Sequence, residues 1–220
     1  MIPVKKYLLI FGLFSVCALH AQSDLRMGIH LDLMSSWFSP KTGGIQKDGA
    51  RPGLSGGLVM EYYFSENYGF VSGLSLTSAG GNVSYEDTVY IQTGQKKVKI
   101  NPGTTVSYTL GYLSIPLGIK LKSNEIGYFT YFAQIGFLPQ FNLGSKAKAT
   151  ESQLNKDNVP EEINLFNLSY FFGGGIEYNI GGQTSLMAGI FFNNGFADVL
   201  SDNDYKAGLN YLTLRLGIMF

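Results

Sequence analysis

The sequence predicts an all-β protein, an eight-stranded antiparallel up-and-down transmembrane β-barrel, and three observations carry that prediction. The chain is rich in aromatics and glycine but poor in charge. Phe, Tyr and Trp make up 14% of its 220 residues, 28 are Gly, and only 15% are charged, against about 25% in soluble domains. Apolar residues recur with period two over segments of roughly ten residues, the spacing of barrel strands. Long and short connections between those segments alternate along the chain.

Composition excludes several other classes. Net charge is zero, which offers no bulk electrostatic reason to bind nucleic acid. The chain is too hydrophobic for disorder. Beyond the N-terminus no stretch reaches the roughly 18 consecutive apolar residues of a membrane helix. The spanning structure that remains is a closed barrel, because every backbone polar group must be paired inside hydrocarbon. A soluble β-sandwich or lipocalin-like barrel would also alternate, but its exterior would carry many Lys and Glu.

The first element is separate from the barrel. Lys5 and Lys6 precede the apolar run "YLLIFGLFSVCAL" (7–19), and "HAQ" offers Ala21 as the residue before cleavage. Residues 1–21 read as a secretory signal peptide, leaving 22–220 as an outer-membrane β-barrel domain. The only cysteine, Cys17, lies inside the peptide, so the exported chain is expected to fold without disulfides.

Eight strands follow. "DLRMGIHLDL" (24–33) sets Leu25, Met27, Ile29, Leu31 and Leu33 against Arg26, Gly28, His30 and Asp32. "SGGLVMEYYF" (55–64) and "GFVSGLSLTS" (69–78) alternate the same way, as does "YLSIPLGIKL" (112–121), which places Lys120 opposite its leucines and isoleucines. "YFTYFAQIGF" (128–137), "LSYFFGGGIEY" (168–178) and "TSLMAGIFF" (184–192) continue the scheme, with Phe132, Leu138 and Phe171 as bulky fillers on the polar face. The last strand, "LNYLTLRLGIMF" (209–220), carries Leu212, Leu214, Leu216, Ile218 and Phe220 on one face and Thr213, Arg215 and Gly217 on the other.

The connections 65–68, 123–127 and 181–183 are short; 39–54, 79–111, 144–167 and 193–208 are long and polar. Short periplasmic turns and long extracellular loops are the asymmetry of an outer-membrane barrel. Trp37, Phe38, Tyr62, Tyr63, Tyr68, Tyr128 and Tyr178 near strand ends read as interfacial girdles.

With the apolar face outward, Arg26, His30, Asp32, Glu61, Lys120, Glu177 and Arg215 point into the lumen. Three acids and four potential cations in a space filled by side chains are expected to pair, since an unpaired buried charge costs several kcal/mol. The expected result is a charge network that plugs the barrel.

Motifs for chemistry are sparse. "GLSGG" (53–57) matches G-x-S-x-G around Ser55, but a strand follows it instead of the helix a hydrolase elbow needs. His30 could pair with Asp32 and a serine, as in a lipid-modifying enzyme, yet a network role is expected for it. "GGG" (173–175) lacks the spacing of a nucleotide site. One mature His and no mature Cys argue against a transition-metal site. "SDND" (201–204) has oxygen ligands of the kind calcium takes. No catalytic residue, cofactor or metal is therefore expected.

The signal peptide ending in "AQ", "YLSIPLGIKLK" (112–122), "FFGGGIEY" (171–178) and the terminal "YLTLRLGIMF" (211–220) resemble the outer-membrane β-barrel family of Bacteroidetes that includes PorT-like and porin-annotated proteins. The resemblance implies an outer-membrane location. It also implies insertion by the barrel-assembly machinery, with Phe220 as part of the recognition signal. The expected function is non-enzymatic, through external loops that contact an external ligand or envelope protein or support envelope integrity. The alternatives are a narrow porin-like channel, a PorT-like component of protein secretion, and a lipid-modifying enzyme.

Overall fold

The computed structural model describes residues 25–94, 96–149, 152, 154–202 and 204–220. The expected signal peptide, Cys17 included, lies outside the described residues. Among those described, thirteen strands occur: β1 (Leu25–Pro40), β2 (Ile45–Lys47), β3 (Arg51–Ser65), β4 (Tyr68–Tyr85), β5 (Val89–Gln92), β6 (Lys97–Ile100), β7 (Thr105–Ser114), β8 (Leu117–Lys122), β9 (Phe129–Ala149), β10 (Asn155–Asn158), β11 (Phe166–Gly181), β12 (Thr184–Gly195) and β13 (Ala207–Met219). Each pairing is antiparallel.

The long strands close into a ring in the order β1, β3, β4, β7 with β8, β9, β11, β12 and β13, back to β1. That ring has eight wall positions, one of them shared by β7 and β8. The expected continuous strand 112–121 is interrupted at Ile115–Pro116, because proline has no N–H for the ladder. Ile115 still donates its N–H to Pro139 O at 3.0 Å. Short β2 and β10 widen one end beside β4 and β9, while β5 and β6 form a separate hairpin. The ring closes between β1 and β13, down to a reciprocal pair of bonds between Met27 and Phe220 at 2.8 and 3.0 Å.

Outside, the apolar alternation makes a belt. Leu25, Met27, Ile29, Leu31 and Leu33 of β1 are each 40–50% exposed, and Leu212 through Phe220 of the last strand match them. In water these surfaces would be costly to expose; against lipid they are at home. Tyr62, Tyr68, Tyr128 and Tyr178 are exposed on the outer surface. Phe38 and Tyr63 are corrections to the girdle reading. Both are buried inside, Phe38 completely, because their strand positions share parity with the lumen charges.

The four long linkers are also corrected. β4 runs to Tyr85, β7 starts at Thr105 and β9 reaches Ala149, all inside segments expected to be loops. The side chains explain the miss. At this end the inward residues become apolar (Ala79, Val83, Val106, Tyr108, Leu110) and the outward ones polar (Asn82, Ser84, Ser107, Thr109), so the apolar-outside pattern inverts. On β9 a bulge at Leu143 also shifts the register, pairing Gly111 with Gly144 but Tyr112 with Asn142. The loop end is thus a packed apolar core, closed over by Ile91, Val98 and Ile100 of the hairpin and by Val159, Ile163, Val199 and Leu200. Phe38 meets Tyr108 edge-on at 5.9 Å, and the hydroxyls of Tyr85 and Tyr108 bond at 2.9 Å.

Two outcomes follow from this core. Phe38→Ala is expected to destabilise the folded barrel by about 3–5 kcal/mol in chemical denaturation; an outward loop residue would cost a fraction of that. In the cap, Glu162 accepts the Gln92 N–H at 2.7 Å. Burial, with help from Asp202 and Glu161, raises its pKa above the usual range. A raised folded pKa favours docking at low pH and weakens it as pH climbs through that pKa. Amide exchange at Gln92, corrected for intrinsic rate, is expected to show more protection in mild acid than at neutral pH, and Glu162→Gln to remove the difference.

Candidate functional site

Strand parity aims the lumen side chains, and ring closure decides which meet. Near the short-turn end, Arg26 of β1 lies directly opposite Glu61 of β3 in the ladder. Its guanidinium reaches across the lumen, donating to Glu177 Oε2 at 2.8 Å and to Ser185 Oγ at 2.7 Å. Lys120 is fully buried between two carboxylates, donating to Glu61 Oε1 at 2.6 Å and to Glu177 Oε1. The Tyr63 hydroxyl completes Glu61 at 2.7 Å, and the Phe132 ring lies 4.5 Å from the lysine nitrogen. Charge-assisted bonds of this kind are what allow an ammonium to stay in a dry interior.

A second cluster sits further along β1. Asp32 faces Arg215 across the closing ladder and accepts two parallel bonds, from Nε and Nη2, at 2.8 Å each. The guanidinium also stacks 4.7 Å from the Phe191 ring. His30 places Nδ1 3.0 Å from Asp32 Oδ1 and Nε2 3.0 Å from Ser75 Oγ. That reach across β3 requires Gly57, which lies between them in the ladder: a Cβ there would come within 2.8 Å of Ser75 Oγ. In the tautomer with its proton on Nδ1, His30 accepts from Ser75 and donates to Asp32. This is the connectivity of a nucleophile, a base and an orienting carboxylate. The cavity beside it, lined by Ser75, Asp32, Arg215 and Thr213, measures about 30 Å³. That suits one or two waters, far below the several hundred Å³ of a ligand pocket.

Between the charges and the apolar end runs a belt of neutral polar groups. Ser55 and Thr77 bond at 3.0 Å, Thr77 and Ser114 at 3.0 Å, Gln140 donates to Ser114 at 2.9 Å, and Asn167 donates to Gln140 at 2.9 Å. Ser55 of the G-x-S-x-G match is therefore a buried wall residue inside β3. Residues 173–175 lie within β11. In 201–204, Asn203 is outside the described residues, and the Asp204 N–H donates to Asp202 Oδ1 at 2.8 Å. Among the described residues no three His, Cys, Asp or Glu side chains are placed to hold a metal. Phe220 faces outward, 55% exposed.

Sequence reading missed Ser75, Tyr63, Ser185 and the Thr77–Ser114–Gln140–Asn167 belt as partners. Inward parity was the available signal, but single Ser, Thr and Gln residues on a polar face look alike until strands are registered.

Removing one partner of a buried ion pair strands the other. Lys120→Met leaves Glu61 and Glu177 facing each other, and is expected to cost about 3–5 kcal/mol in denaturation of the refolded protein. Lys41→Met breaks a more exposed pair with Asp198 at 2.8 Å and is expected to cost under about 1 kcal/mol.

The chain is similar, at low identity, to several solved outer-membrane proteins. Neisserial surface protein A is 13% identical with a TM-score of 0.48, the match covering 88% of this chain and 95% of that one. Ail, the attachment invasion locus protein of Yersinia pestis, is 15% identical with a TM-score of 0.40 over 90% and 99%. The outer membrane protease OmpT from Escherichia coli is 8% identical with a TM-score of 0.46 over 90% and 96%. Likeness this distant says nothing about activity. No curated protein matches the chain in sequence. The family described as outer membrane protein beta-barrel domain matches residues 20–201, and the chain belongs to that family of bacterial outer-membrane barrels.

Proposed function

We propose that this chain is a closed, non-enzymatic eight-position outer-membrane barrel that acts through its loop end. Its short turns face the periplasm, and its strand-built cap meets surface partners or supports envelope integrity. One observation carries the reading: the lumen is filled at successive levels, by the Lys120 cluster, the Asp32–Arg215 cluster, the hydrogen-bonded belt and then an apolar core. An ion crossing it would have to break each level in turn. The lumen cavity beside Ser75 and Asp32 measures only about 30 Å³, which supports a structural part for the Ser75–His30–Asp32 relay.

The finer placing among PorT-like barrels of Bacteroidetes rests on the segments quoted above and is part of this proposal. So are signal-peptide export, Phe220 as an assembly signal for the barrel-assembly machinery, contact with outer-membrane lipid, and an external ligand or envelope protein as partner. A secretion role would use the same cap.

Single-channel recording of the mature protein in planar bilayers tests the plug. The wild type is expected to be silent, with leak appearing in Glu61→Ala and Arg215→Ala. Steady, ion-selective steps in the wild type would replace this reading with that of a narrow channel.

A further inference from the structure

Where the apolar belt ends on β9, the outer wall turns basic. Phe141 and Leu143, 40% and 63% exposed, are the last apolar outward side chains on that strand. Beyond the bulge, Lys146 and Lys148 take the outward positions while Ala147 and Ala149 turn in. On one face of a strand, residues two apart stand about 7 Å from each other. Thr109 and Ser107 lie directly opposite them on β7, and Asn158 and Asn155 on β10; residues directly opposite in an antiparallel pair share a face. The result is a plate of two ammonium groups rimmed by hydroxyls and amides.

Neither lysine has an ion-pair partner among the described residues. Two other cations at this end are engaged: Lys41 pairs with Asp198, and Lys47 lies 4.8 Å over the Trp37 ring. Among the described residues, two nearby carboxylates are engaged: Asp157 accepts the Asn155 N–H at 3.2 Å, and Asp48 accepts from the Thr105 hydroxyl.

The plate faces sideways from the wall, directly above a lipid-facing belt. A soluble partner arriving from outside meets the cap first. What lies beside the wall at this height is the headgroup layer of the leaflet. Paired ammonium groups with hydroxyl and amide neighbours suit a phosphate, and basic clusters at a membrane surface gain about tenfold or more from anionic headgroups. We propose that Lys146 and Lys148, with Thr109, form a binding site for the phosphorylated headgroup of an outer-leaflet lipid. The site rests on the reading that the loop end faces the cell exterior.

The test uses the mature protein refolded in neutral detergent and incubated with bis-phosphorylated lipid A or with its dephosphorylated form. Retained lipid is read by native mass spectrometry. The phosphorylated form is expected to be retained and the dephosphorylated form lost. Lys146→Ala with Lys148→Ala is expected to lower retention roughly tenfold, whereas arginine at both positions preserves it. Heat-dependent gel mobility confirms that each variant is folded. Equal retention by the wild type and the double alanine variant, or of both lipid forms, overturns the proposal. So does lysine-dependent binding of heparin without binding of lipid A, which would assign the plate to a soluble polyanion. Either failure concerns the outer wall alone and leaves the conductance result expected above unchanged.

Discussion

The ladder between β1 and β13 is the contact on which everything else depends. An open sheet would leave two rows of N–H and C=O groups facing hydrocarbon, each unsatisfied group costing several kcal/mol. Closing the ring removes both edges at once. It also fixes parity around the whole circumference, so that one face of every strand meets lipid and the other meets the lumen. Arg215 and Asp32 become direct neighbours only through this closure, because they sit 183 residues apart in the chain.

Parity in turn makes the lumen charges informative about register. A buried ion pair adds little net stability over a well-packed apolar fill, since taking both groups from water offsets most of their attraction. Its effect is on specificity. A one-residue slip of β13 against β1 would send Arg215 into lipid and bring Leu214 or Leu216 inward. The bidentate contact with Asp32 forms in a single register. The same holds for Lys120, whose two carboxylates come from β3 and β11, on different sides of the ring. Gly57, between His30 and Ser75, adds a finer demand: a Cβ there would fall 2.1 Å from Leu74 O and 2.8 Å from Ser75 Oγ, so no side chain fits.

The barrel divides its interior between two kinds of chemistry. Toward the short turns charged and hydrogen-bonded groups interleave with a small apolar cluster that includes Val59, Val71, Phe132 and Phe191; toward the long connections it is an apolar core like that of a soluble domain. The exterior is arranged in the opposite sense, apolar below and polar above. Such an inversion marks where the wall leaves the membrane, since burial inside and solvation outside change together. It also turns the expected loops into an ordered cap that contains strands β2, β5, β6 and β10.

The sequence by itself determined the all-β antiparallel class and the apolar face of each alternating segment. These properties are local: period two decides the face, and the contrast between leucine and glycine or serine along one segment tells which face is greasy. It also separated short turns from long connections, through runs such as 123–127 and 181–183. It did not reveal the strands inside 79–111 and 144–167, because there the alternation persists with its chemistry reversed and, on β9, its phase shifted at Leu143. Nor did it place Phe38 and Tyr63 inside, since an aromatic near a strand end looks the same facing either way. Only the tertiary structure decided which charge meets which. Arg26 and Glu177 are 151 residues apart, and the distance between them is set by the order of the strands around a closed ring, a property that no local pattern encodes.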